Sequence, residues 1–264
     1  MESSTVGKLV KLANLSYSEE DTIREMINRR PLIKKNSYLY SLQMKPHFHS
    51  SDEDCQFIVT KIGDALVVSF RGTSSKRDVI TDMNVFTSPL VLRGLARCDL
   101  PNVHRGFLKQ FLSVVKKVET YIRAHDLSDI RRDVFFTGHS LGGALATIAS
   151  LYFSFQFPNL IYSCITFGSP RVGDSRFCSY FRKTIRHSIR FVNDYDPVPC
   201  IPTTWRFKHV HGVKWLKGDQ MVNRVPGTGI WCTIKNIIIS SFGIGYNPVN
   251  DHSCLEYIKD LKFN

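Results

Sequence analysis

The sequence predicts an α/β fold with a mainly parallel central sheet covered by helices on both faces. Short β-branched and aromatic runs alternate with helical segments from the middle of the chain onward, as parallel strands joined by crossovers require. One segment, residues 142–156, carries Ala144, Leu145, Ala146, Ile148, Ala149, Leu151 and Tyr152 and has almost no polar face, so it must be buried against a sheet. Glycine-containing polar turns, GHSLGG and GSPRVGD, sit where strands end and helices begin.

In chain order, residues 7–30 place Leu9, Leu12, Ala13, Tyr17, Ile23 and Ile27 at helical spacings, with a break near Ser16 to Ser18. QFIVTKI (56–62) and ALVVSF (65–70) flank Gly63-Asp64, a hairpin signal. Residues 103–124 set Phe107, Phe111, Val114, Val115, Val118 and Ile122 on one stripe of an amphipathic helix. Strand-like DVFFT, the apolar helix, strand IYSCITF (161–167), helix 175–184 and strand SIRFVN (188–193) follow, before a proline-rich exit. A last helix, SCLEYIKDL, comes directly after His252.

With 264 residues and no polar low-complexity linker, the chain is expected to form a single domain over residues 1–264. Apolar residues at 43% and charged residues at 22% exclude disordered and fibrous classes. Thirty-five basic against 23 acidic residues give a net charge of +12, which favours anionic partners such as acidic lipid headgroups. No nucleic-acid module accompanies the charge, so nucleic acid is not an expected partner. The cysteines, at 55, 98, 164, 178, 200, 232 and 254, are odd in number and form no CxxC pair. Together with a start lacking a continuous apolar run, they give the expectation of reduced thiols and a cytoplasmic setting, with secretion as the alternative where a signal has already been removed. The longest apolar tract, residues 229–246, is interrupted by Lys235, Asn236 and glycines, and reads as core or interfacial packing rather than a membrane span.

Gly138, Ser140 and Gly142 make a G-x-S-x-G sequence directly after a strand and opening a helix. A serine on so tight a turn is held in a strained conformation, and the positions two before and two after it approach too closely for a Cβ. The turn lifts the hydroxyl to the carboxyl end of the sheet, with the helix N-terminus beside it to favour developing negative charge. Neither a dinucleotide-binding nor a P-loop glycine pattern is present. A serine needs a base and an orienting carboxylate, usually in the order Ser, Asp/Glu, His on such a sheet. Asp194 and Asp196 stand at the end of a strand, with Asp174 and Asp251 also downstream. His187, His209, His211 and His252 follow the serine, and His252 is the best-positioned base. His209 and His211 alone do not make a metal site, so no metal and no cofactor is expected. His104 and His139 read as packing or hydrogen-bonding residues rather than a second base.

In order, FRGT, VHRGF, GHSLGG, TFGSPRVGD, DPVP and the late DHSCLEY resemble the class 3 (fungal-type) lipases of the α/β-hydrolase fold. The resemblance implies Ser140 as nucleophile, Asp196 as the acid, chosen over Asp194, and His252 as the base. It also implies an oxyanion hole made by the backbone N–H groups of Leu141 and Thr73, and a lid helix at residues 74–86, where Val79, Met83 and Phe86 share one face. Val79 stands where such lipases often carry a tryptophan.

The expected function is therefore hydrolysis of carboxylic esters, acylglycerols first, through an acyl-enzyme. A phospholipase A1 or an esterase for short or aromatic acids is an alternative within the same chemistry. A lipase-like domain that binds lipid or protein without turnover is an alternative of another class. Expected partners are a lipid ester substrate and, peripherally, an anionic membrane or lipid-droplet surface.

Overall fold

The computed structural model describes residues 3–18, 47–49, 55–72, 85–127, 132–193, 196–203, 205–217, 220–223 and 252–261. Among these, eight strands form one sheet in the order β1 (His47–His49), β2 (Phe57–Ile62), β3 (Ala65–Phe70), β6 (Asp133–His139), β7 (Ile161–Phe167), β8 (His187–Asn193), β9 (Val213–Lys217), β10 (Gln220–Val222). β4 (Thr87–Pro89) and β5 (Asn102–His104) pair as a separate antiparallel ribbon. The middle of the sheet, β3 through β9, is parallel, and both margins turn antiparallel.

Parallel neighbours need crossovers, and among the described residues α-helices supply three of the four. They are α2 (Arg105–Asp126) before β6, α3 (Leu141–Gln156) between β6 and β7, and α4 (Ser175–Thr184) between β7 and β8. At the margin, Gly63 takes φ +60° to close the β2–β3 hairpin, a left-handed conformation that glycine adopts without penalty.

Side-chain alternation along the strands feeds two cores. Leu66, Val68, Phe70, Val134, Phe136 and Tyr162 point to the face covered by α2, α3 and α4. Phe136 is its centre, stacking between Phe70, Phe153 and Tyr162 with centroids 5.9 to 6.4 Å apart. The intervening residues Val67, Ile165, Phe167 and Phe191 point to the other face. There they meet α1 (Ser3–Leu15) through Leu9, Leu12 and Ala13, and α5 (Cys254–Asp260) through Tyr257. Helix α3, apolar nearly all round, is buried as its composition demands.

The sequence places a helix from residue 103; the structure puts Asn102–His104 in β5 and starts α2 at Arg105. Two interactions outside the local pattern decide this. Asp174 accepts from the backbone N–H of Asn102 at 3.0 Å, and β4 pairs with 102–104. The imidazole Nδ1 of His104 then caps α2, accepting from the N–H of Phe107 at 3.3 Å. The tract 229–246 and most of the lid candidate 74–86 lie outside the described residues; of the lid, Val85 and Phe86 are described, both exposed. No described helix is long and apolar enough to cross a membrane.

Candidate active site

β6 ends in the turn that carries Ser140, which sits at φ 57°, ψ −126°. Such a conformation costs a non-glycine residue of the order of 1–3 kcal/mol and persists only where its surroundings impose it. Here the N–H of Ser140 donates to the Phe167 carbonyl at 2.9 Å, tying the turn to β7, and the N–H of Gly143 donates to the Ser140 carbonyl at 2.9 Å. A Cβ on Gly138 would lie 2.9 Å from the Gly143 nitrogen, and one on Gly142 would lie 2.9 Å from the Arg71 carbonyl carbon. Both glycines are therefore dictated by the turn.

The hydroxyl of Ser140 lies 2.8 Å from Nε2 of His252, and Nδ1 of His252 lies 2.9 Å from each carboxylate oxygen of Asp196. A carboxylate only accepts, so Nδ1 carries the proton, Nε2 offers its lone pair, and the serine donates to it. Segments 56 and 112 residues apart in sequence meet here. Asp196 is held in turn: Oδ1 accepts from the Val198 N–H at 2.9 Å, and Oδ2 accepts from the Tyr257 hydroxyl at 2.6 Å. Tyr257 also accepts from the Asn193 N–H at 2.9 Å, which fixes its hydroxyl direction. Ser140, Asp196 and His252 are 2%, 2% and 4% exposed, so the constellation is sealed from bulk water.

Behind the imidazole and carboxylate stands Gly168 at φ +59°. A Cβ there would come within 2.7 Å of Asp196 Oδ2 and 3.1 Å of His252 Nδ1, so only glycine leaves room for the pair. The sequence does not single out Gly168 and Tyr257 as parts of the site. Gly168 and Tyr257 lie inside the motifs TFGSPRVGD and DHSCLEY, and that was the available signal.

Leu141 opens α3, where its N–H has no acceptor one turn back within the helix, as an anion-receiving donor requires. Thr73 lies outside the described residues, directly after Arg71 and Gly72 at the exit of β3. The other candidates go elsewhere. Asp174 caps α4, accepting from the Phe177 N–H at 2.8 Å, and His187 is exposed at the start of β8. His209 donates from Nε2 to the Pro199 carbonyl at 2.6 Å. Loss of hydration and the charges of Arg190 and Arg171 hold it well below the ordinary histidine range. Burial likewise lowers His211, whose neighbours include Arg182 and Arg190. Asp194 and Asp251 lie outside the described residues. Among the described residues no group of three or more His, Cys, Asp or Glu is arranged to hold a metal ion.

Comparison with known proteins places the chain among lipases. The chain is 34% identical over 161 residues to the secreted mono- and diacylglycerol lipase 1 of Fusarium solani, covering 59% of this chain and 45% of that protein. It is 30% identical over 196 residues to a lipase of Rhizopus niveus, covering 70% and 48%. The chain thus spans about half the length of the curated relatives it matches. The crystal structure of a lipase from Rhizopus microsporus var. chinensis superposes with a TM-score of 0.70 at 25% identity, covering 95% of this chain and 85% of that one. The Fusarium relative is named as secreted, which runs against the cytoplasmic expectation drawn from the cysteines and the N-terminus. Residues 67–205, just over half of the chain, match the model of the lipase (class 3) family, and with an α/β-hydrolase sheet beneath the serine turn, the chain belongs to that family.

Proposed function

We propose that residues 1–264 act as one hydrolytic unit, cleaving the ester bonds of acylglycerols with Ser140, His252 and Asp196. The observation that carries this reading is the unbroken hydrogen-bonded line from the strained serine through Nε2 and Nδ1 of His252 to the carboxylate. His252 takes the hydroxyl proton as Ser140 Oγ bonds to the ester carbonyl carbon. Asp196 keeps the ring in the tautomer that exposes Nε2 and stabilises the imidazolium. The N–H groups of Leu141 and Thr73 receive the oxyanion, each donor contributing about 3 kcal/mol of transition-state stabilisation. The imidazolium returns its proton to the departing alcohol, and water then repeats the sequence on the acyl-enzyme, releasing the fatty acid.

A nucleophile only 2% exposed needs its cover moved before a lipid ester arrives. Residues 74–86 are our candidate for that cover, and a lipid surface for the trigger. The net charge of +12 favours an anionic surface and, as a second reading, a phospholipase A1. Hydrolysis of tri-, di- and monoacylglycerol and of phospholipid, measured below and above the concentration at which an interface forms, tests these points together. Acylglycerol turnover with a jump at the interface is expected; smooth saturation would remove the lid, and turnover of phospholipid alone would replace the substrate. For location, Cys98, Cys164, Cys178 and Cys254 carry free thiols, which suits a reducing compartment. Counting alkylatable thiols in the protein recovered from its native source checks this.

A further inference from the structure

We propose that Tyr17 and His139 are positioning residues, which fix the backbone of the catalytic histidine and the chain leading into Thr73 against the end of helix α1. The proposal rests on the hydrolase reading above and adds to it how the backbone of the base is held.

His139 precedes the nucleophile, and its ring turns toward Tyr17, just beyond α1. Its Nε2 is 2.6 Å from the backbone carbonyl oxygen of His252. A carbonyl only accepts, so Nε2 carries the proton and Nδ1 is left with a lone pair. The Tyr17 hydroxyl, 2.8 Å from Nδ1, must then be the donor. Burial raises Tyr17 above the ordinary phenol range, so that proton stays in place at any working pH. The rings of His139 and His252 pack with centroids 4.6 Å apart.

The same hydroxyl abuts the other half of the site. A Cβ on Gly72 would collide with the Tyr17 oxygen and lie 2.6 Å from the His139 carbonyl oxygen, so the residue before Thr73 is seated directly on this pair. Tyr17 is itself anchored just beyond α1, its N–H donating to the Asn14 carbonyl at 3.1 Å, and α1 is locked to the sheet by fully buried Leu9, Leu12 and Ala13. One phenol therefore links three chain segments that converge on the reacting atoms.

Ring packing alone would be met by phenylalanine; what phenylalanine lacks is the donor. Without it, Nδ1 of His139 is open to a proton. Among the described residues, the groups facing His139 include Tyr17, His252 and Tyr257, with Ser140 next in the chain, Asp196 beyond His252, and Arg71 and Cys254 near Tyr17. A cationic His139 would lie against the ring that must become an imidazolium in every turnover, and the two charges oppose each other.

The test compares the unmodified chain with Tyr17→Phe, His139→Ala and His139→Gln, whose amide can still donate to the His252 carbonyl but cannot titrate. Rates on a soluble ester are normalised to sites titrated by a fluorophosphonate, so that loss of folded protein is not counted. For Tyr17→Phe we expect kcat to fall about 10-fold to 100-fold with KM within about twofold, and the acid side of the pH profile to steepen from one proton to two. His139→Gln should recover part of the loss in His139→Ala and keep the one-proton slope; it carries the test if Tyr17→Phe does not fold. Normalised rates and acid slopes equal to those of the unmodified chain in Tyr17→Phe, or in His139→Gln and His139→Ala alike, would overturn the proposal. An unmodified chain that neither labels nor hydrolyses would overturn the hydrolase reading instead, and this proposal with it.

Discussion

Ser140 holds a backbone conformation that its own side chain disfavours, and the bonds to Phe167 and Gly143 keep it there. Glycine would relieve that strain, offset in part by the greater freedom of the unfolded chain. Ser140→Gly is therefore expected to be about 1 kcal/mol more stable than Ser140→Ala, which loses the same hydroxyl bond to His252, while both abolish turnover, measured by thermal melting beside an ester assay; equal or lower stability of Ser140→Gly would show that the turn is not strained. Tyr257 acts on the carboxylate instead. Tyr257→Phe removes the donor 2.6 Å from Asp196 and the acceptor of the Asn193 N–H. A loss of about 1–3 kcal/mol of stability and a reduced kcat should follow, read from denaturant midpoints and initial rates.

Strand ends bring these groups together, and their spacing tolerates little. Gly168, just past β7, stands within Cβ reach of both Asp196 and His252. Gly168→Ala is expected to displace the pair and lower kcat by about 100-fold with KM little changed; full activity would mean the wall can yield. Much of this arrangement could be read from the chain. The short β-branched and aromatic runs ALVVSF and IYSCITF, and the all-round apolar helix after GHSLGG, report burial directly, so the mainly parallel sheet and its cover of helices on both faces were legible. Ser140 was legible because the strain of its turn requires glycines at fixed offsets. The short strands β1, β4, β5, β9 and β10 were not, since three to five residues carry too little periodicity and their pairing depends on distant partners. The link from Tyr17 to His139 spans 122 residues and the link from Tyr257 to Asp196 spans 61, and no local pattern encodes either.

Across the protein as a unit, positive charge and half-hidden histidines set the response to acid. His209 and His211 both have lowered proton affinity in the fold. In the unfolded chain a histidine binds its proton near about pH 6.5. Below that value the unfolded state therefore holds more protons than the folded one, and stability rises with pH. The contribution of these residues is complete above about pH 6.5 and is lost as pH falls toward their folded values. The melting temperature should drop between about pH 7 and about pH 5, and His209→Gln, which can still donate to Pro199, should shallow that drop. An unchanged slope would mean that His209 titrates in the fold as it does in the unfolded chain.

The most direct single measurement is mass spectrometry of the intact chain after exposure to a fluorophosphonate, followed by mapping of the modified peptide. The geometry around His252 predicts one adduct per molecule, on Ser140, absent from Ser140→Ala and formed far more slowly in His252→Ala. An unmodified chain, or an adduct that survives Ser140→Ala, would contradict the assignment of this serine as the nucleophile.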